Sequence, residues 1–140
     1  PALNPDLVII SLGTNESFDK QSGEQYFANL SQMIQGIKDK NPQACVLVMT
    51  SPPSVLHRKY KNTFIEKYAE FIEENAHVKN YAVWDLLQVF GGNKSIQRNA
   101  AKGYMARDKV HYSKAGYEKQ GDLFFEAFLQ SYELFKSTKQ

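Results

Sequence analysis

Hydrophobic positions along the chain follow two alternating periods. "DLVIISLG", Asp6 to Gly13, is a continuous apolar run bounded by Pro5 and Gly13, and its Val and Ile content predicts a strand buried on both faces. From Ser22 the spacing changes to three and four, placing Phe27, Leu30, Ile34 and Ile37 on one helical face. Ser22 and Gln25 form a capping box at its start, and Asn41 with Pro42 ends it. "ACVLVMTS", Ala44 to Ser51, is a second buried strand, stopped by Pro52 and Pro53, which have no N–H for a ladder. Asn62 caps a second helix with the stripe Ile65, Tyr68, Ala69, Ile72 and Ala76, while Glu66, Lys67, Glu70 and Glu73 face water. "YAVWDL", Tyr81 to Leu86, reads as a third strand and Gly91 to Arg107 as a long loop without periodicity. Ser113 caps a last helix carrying Leu123, Phe124, Ala127, Phe128 and Leu134.

Strand, helix, strand, helix, strand, long loop, helix is the order of an α/β domain with a parallel sheet and right-handed crossovers. The 140 residues form one domain, 1–140, with 42% hydrophobic and 13% aromatic residues to build its core. Three strands make a narrow sheet, and the apolar strand from Val8 to Leu12 would be a hazard with an open edge. That edge is expected to be finished by further sequence or by self-association with another chain. The opening "PALNPDLVII" lacks an initiating Met and enters a strand almost at once, so it reads as the continuation of something longer.

Charge and cysteine content narrow the function classes. Seventeen basic residues against 15 acidic ones give a net charge of +2 with no block of either sign, which argues against a nucleic-acid partner. No apolar run reaches the roughly 18 to 20 residues that span a bilayer, so no membrane partner is expected. Cys45 is the single cysteine and lies inside a strand, where it reads as a small core residue; a multi-cysteine zinc site is excluded. His57 on a basic loop and His77 at a helix end read as surface residues.

An open parallel sheet binds ligands beyond the carboxyl ends of its strands. "GTNES", "TSPPS" and the segment leading to "RDKVHYSKAGY" converge there. Gly13 permits a tight backbone turn and Asn15 offers an amide donor, unless Asn15 only caps its own loop. Asp108 and His111, three residues apart, can form a carboxylate–imidazole pair in which the carboxylate fixes the tautomer and leaves Nε2 free for a hydroxyl proton. The alternative is a helix-entry turn in which Asp108 accepts backbone amides and His111 is a bystander. A metal site would need a third donor at a recognisable spacing. Tyr112 beside the pair packs under the last helix.

These blocks resemble a known family. "PDLVIISLGTNES", followed by "DKVHYSKAGYEKQG", is similar to the third and last sequence blocks of the SGNH, or GDSL-type, esterases and lipases, and the likeness extends to "SPPS" and "FGGNKSI". It implies a flavodoxin-like parallel sheet with flanking helices, here about three strands of the usual five. It implies an oxyanion-hole role for Asn15 and Gly13, with Glu16 where the family has Asp, and triad roles for His111 as general base and Asp108 as its orienting partner. It implies a carboxylic ester hydrolase without cofactor, acting on a small acyl ester or acetylated saccharide. Bacterial members that deacetylate cell-envelope or plant polysaccharides are most alike, which would suit a periplasmic or extracellular location.

The sequence also departs from the family. The Gly-Asp-Ser block with the nucleophile and the block with the oxyanion glycine are both absent. The chain therefore reads as the C-terminal part of such a domain, inactive alone, with His111 acting on a serine not present at its usual place. Ser51 and Ser54 are expected to line the pocket; they and Ser11 are the candidates for an internal replacement. A second reading is a non-catalytic half-site or saccharide-binding module, with Trp84 and Tyr104 available for stacking. A nucleotide-binding flavodoxin-like domain is a third, disfavoured by the glycine-poor "SLGTNES".

Overall fold

The computed structural model describes residues 3–138. In chain order it runs β1 (Leu7–Ser11), α1 (Thr14–Phe18), α2 (Gly23–Lys40), β2 (Cys45–Met49), β3 (Val55–Leu56), β4 (Tyr60–Lys61), α3 (Thr63–Lys79), β5 (Ala82–Trp84), α4 (Leu86–Val89), a 3-10 turn (Asn93–Ser95), α5 (Ile96–Ala101) and α6 (Lys114–Ser137). β1, β2 and β5 form a parallel sheet in that order, with Ile10 opposite Val48 and Met49 opposite Trp84. β3 and β4 form a separate antiparallel hairpin. The expected α/β architecture with three parallel strands and flanking helices is what the chain adopts.

Alternation along each strand divides the core into two layers. Ile10, Val46 and Val48 face α2 and α3, where Tyr26, Leu30, Ile34, Tyr68 and Ile72 meet them. Leu47 and Trp84 face the other way, onto Leu86, Phe90, Ile96, Met105 and Tyr112, with Leu123, Phe124 and Ala127 of α6 packed alongside. Full burial of such a side chain is worth about 1.5–3 kcal/mol, so these layers rather than helix propensity hold the sheet.

β1 corrects the expectation of burial on both faces. It is the edge strand, pairing only with β2 among the described residues. Ile10 is buried, whereas Leu7 is 37% and Ile9 45% exposed, because α6 covers the β2 and β5 side of its layer and stops short of β1. Cys45 is likewise exposed instead of core. It starts β2 and lines an open groove with Leu7, Trp84, Phe124 and Phe128. Phe128 and Leu134 of α6 are 50% and 66% exposed, so part of the last helix's apolar face is uncovered.

The helix starts follow their caps. Ser22 Oγ accepts from Gln25 N at 3.2 Å, and Ser113 Oγ from Gly116 N at 3.1 Å. Asn62 occupies the N-cap position of α3 but does not cap it. Its buried amide instead donates to Ser17 Oγ and Ser54 Oγ at 2.8 and 3.1 Å, tying α1 to the segment after β2. Tyr26 and Tyr68 stack at 4.1 Å, and their hydroxyls donate to the Leu12 and Gln21 carbonyls. These bonds fix the chain leaving β1.

The third strand is shorter than expected, because Asp85 leaves the sheet to cap α4, its Oδ1 accepting from Gln88 N and from Thr50 Oγ1. The expected loop from Gly91 to Arg107 contains the 3-10 turn and α5. Its polar residues serve as interior braces: buried Asn99 donates to the Phe90 carbonyl and to Ser95 Oγ. No described helix is long and apolar enough to cross a membrane.

Candidate active site

The segment Met105–Tyr112 is drawn into a closed loop by a β-bridge between its two ends. Ala106 N donates to the His111 carbonyl at 2.9 Å, and Lys109, at φ 55, turns the chain between them. Tyr112 anchors the loop: buried, edge-on to Phe90 at 5.2 Å, its hydroxyl donates to the Pro53 carbonyl at 2.7 Å. Gly116 lets α6 begin directly against this loop, since a Cβ there would overlap the Tyr104 carbonyl.

Asp108 combines both roles between which the sequence left a choice. Its Oδ1 accepts from the Val110 and His111 backbone amides at 2.9 and 3.0 Å, and its Oδ2 faces His111 Nδ1 at 2.8 Å. An ionised carboxylate only accepts, so Nδ1 carries a proton and, in the neutral ring, Nε2 is the nitrogen with the lone pair. The His111 bond and then the two amides hold the Asp108 carboxyl down at about 2. The imidazole is 72% exposed and its ring makes no other hydrogen bond among the described residues.

The turn after β1 faces the same space. Gly13 has φ 123, a conformation open to glycine, and a Cβ there would stand 2.5 Å from Ser51 Oγ. Glu16 folds back so that Oε2 accepts from Gly13 N at 2.8 Å. That satisfies the loop without Asn15, whose exposed amide makes no hydrogen bond among the described residues. The local-cap alternative for Asn15 therefore falls to its neighbour. Asn15, Phe18, His57, Arg58, Asp108, Val110 and His111 line one cleft of about 390 Å³.

The serines are placed differently from one another. Ser51 Oγ donates to the Leu12 carbonyl at 3.1 Å and borders a hollow of about 90 Å³ with Gly13 and Asn15. Ser54 does not line the pocket as expected; it is fully buried, and its Oγ accepts from Asn62. Ser11 is exposed at the end of β1 beside that smaller hollow. No serine hydroxyl bonds to His111 among the described residues. Trp84 packs on Phe124 at 4.9 Å and Tyr104 on Phe90 at 6.0 Å, so neither offers the cleft a stacking face. Sequence reasoning missed Phe18, His57 and Arg58 as cleft residues, because the turn that carries the last two has no Gly or Asn to mark it.

This arrangement of loops agrees with the comparison to known proteins. A profile of the GDSL-like lipase/acylhydrolase family matches residues 1–119. The chain belongs to this family. Among solved structures, a peptidoglycan O-acetylesterase superposes with a TM-score of 0.81 at 23% identity, over 89% of this chain and 37% of that one. A lipase/acylhydrolase from Enterococcus faecalis superposes with a TM-score of 0.65 at 24% identity, over 88% of this chain and 60% of that one. The chain thus spans less than two thirds of these proteins' length. No curated protein gave a significant sequence match. These likenesses carry the SGNH fold, with β1, β2 and β5 as strands of its parallel sheet.

Proposed function

We propose that this GDSL-family chain supplies the base half of a serine esterase site. The observation that carries the reading is the Asp108–His111 pair at 2.8 Å, with the second ring nitrogen free, in the same cleft as the unbonded amide of Asn15. His111 takes the proton of a serine hydroxyl as it attacks the ester carbonyl and returns it to the departing alcohol. Asp108 holds the ring and stabilises the imidazolium. Asn15 donates to the oxyanion through its side-chain amide, whereas the Gly13 amide, expected to share that role, is held by Glu16 Oε2 at 2.8 Å. Since no described serine reaches His111, the nucleophile is assigned to polypeptide outside these 140 residues, and the chain alone is a half-site.

The finer assignment is an O-acetylated carbohydrate substrate. The fold likeness to a peptidoglycan O-acetylesterase supports it, as does the hollow of about 90 Å³ beside Gly13 and Asn15, which suits a small acyl group.

A fluorophosphonate, which bonds covalently to a base-activated serine, tests the reading by intact mass and peptide mapping. The 140 residues alone should remain unlabelled. Polypeptide that joins them to a Gly-Asp-Ser block should be labelled on that serine and should hydrolyse p-nitrophenyl acetate, with turnover falling by about 10⁴-fold in His111→Ala. Near-normal turnover in that variant would remove His111 from the mechanism.

A further inference from the structure

The cleft contains a cation that the esterase chemistry does not use. The β3–β4 hairpin turns through His57 and Arg58, and both line the same space as Asn15, Asp108 and His111. Lys59 N donates to the Leu56 carbonyl at 3.1 Å, closing a four-residue turn whose two central residues have φ 49 and 63. Those signs belong to a type I′ turn, in which Asn and Gly are the favoured residues. A side-chain-bearing residue held there costs on the order of 1–3 kcal/mol. The surrounding structure imposes it: Val55 N donates to the Lys109 carbonyl at 3.1 Å, and Lys61 pairs with Glu66 at 2.9 Å. The hairpin is thus tied to the loop that carries His111.

Charge bookkeeping in the cleft is one-sided. Asp108 is its single carboxylate among the lining residues, and His111 with two backbone amides already occupies it. Arg58 is exposed and makes no hydrogen bond, ion pair or ring contact among the described residues, whereas His57 meets Phe18 edge-on at 6.4 Å. A strained position that holds an uncommitted guanidinium over a cleft points to ligand recognition, because glycine would suit the backbone better and would present no charge.

We infer that Arg58 is a specificity-determining residue that grips an oxyanion group, carboxylate or phosphate, on the alcohol portion of the ester substrate. The inference deepens the esterase reading and rests on it for the identity of the cleft. A guanidinium takes either group in a two-pronged grip, and such a bond is stronger than one between neutral partners. The substrate class is therefore an acylated anionic saccharide rather than a neutral one.

Binding tests this without turnover. Backbone amide resonances of the chain are followed by NMR during titration with methyl β-D-glucuronide, methyl β-D-glucoside 6-phosphate and the neutral methyl β-D-glucoside. The expected result is shifts at residues 57, 58 and 111 and affinity roughly tenfold tighter for an anionic glycoside than for the neutral one. The arm that binds better names the anion. Arg58→Gly should abolish the preference while leaving thermal stability unchanged or higher, because glycine relieves the turn; Arg58→Lys should keep part of it. Equal binding of all three glycosides, or an unchanged preference in Arg58→Gly, would overturn the inference. Failure of the esterase reading is seen separately, as His111-independent turnover, and would leave a measured preference standing.

Discussion

Asp108 Oδ2 stands 2.8 Å from His111 Nδ1 while Oδ1 of the same carboxylate accepts the Val110 and His111 amides, so one side chain both shapes the loop and orients the ring. The consequence is a carboxyl held at about 2 against an ordinary 3.8. A depressed carboxylate pKa adds stability that is complete above the unfolded value and is lost as pH falls through the folded one. The loop should therefore loosen between about pH 4 and pH 2. Carboxyl ¹³C titration should place Asp108 near 2 and should move it upward in His111→Ala, since the ring bond is the largest cause. A midpoint unchanged by that substitution would mean that the backbone amides alone hold the carboxylate.

Asn15 is predicted to act in the transition state and not in folding. Its amide has no partner to lose among the described residues, so Asn15→Ala should leave stability within about 0.5 kcal/mol of the parent. In polypeptide that carries the nucleophile, kcat should fall about 10²–10³-fold with KM little changed, the pattern of a lost oxyanion donor. A rise in KM at constant kcat would place Asn15 in ground-state binding instead.

Gly116 is where α6 begins against the loop that carries Asp108 and His111. A Cβ would overlap the Tyr104 carbonyl and press on the Tyr112 ring, and a backbone carbonyl cannot swing aside as a side chain can. Gly116→Ala should therefore destabilise by about 1–3 kcal/mol despite alanine's better helix propensity. Denaturant unfolding measures it. Gly121, further along the same helix, has open space at its Cβ position, and Gly121→Ala should be neutral or stabilising by up to about 1 kcal/mol.

The contrast between those glycines marks how far the sequence could be read. Periodicity located β2, α2 and α3 because Leu30, Ile34, Tyr68 and Ile72 repeat at the period of the element that buries them. Local caps located the starts of α2 and α6, since Ser22 and Ser113 bond within their own first turns. Asp108 and His111 were legible for the same reason, their contact lying within a single turn. What stayed hidden depends on distant partners. Asn62 has the look of a cap but spends its amide on Ser17 and Ser54. α5 buries Asn99 as readily as Ile96, which erases its apolar stripe. The His57–Arg58 turn is imposed by the hairpin's ties to Lys109 and Glu66, against the local preference of its residues.

The open face of β1 makes the last prediction. Leu7 and Ile9, with Phe125, Phe128, Leu129 and Tyr132 of α6, are between 37% and 64% exposed, and β1 has a second edge that no described strand pairs. Burying the exposed part of each such side chain yields about 1 kcal/mol. Two copies meeting through this surface would recover roughly 10 kcal/mol, against an association cost of about 4–15 kcal/mol. The balance favours weak, reversible self-association, for which we propose edge-to-edge pairing of β1 with a second copy. Sedimentation velocity should show a concentration-dependent dimer or larger species. Ile9→Lys should return the chain to monomer without unfolding it, because a charge on an edge strand opposes pairing and the side chain is already half in water. A parent chain that sediments as a monomer at high concentration, or an Ile9→Lys chain that associates as before, would show that this surface does not drive self-association.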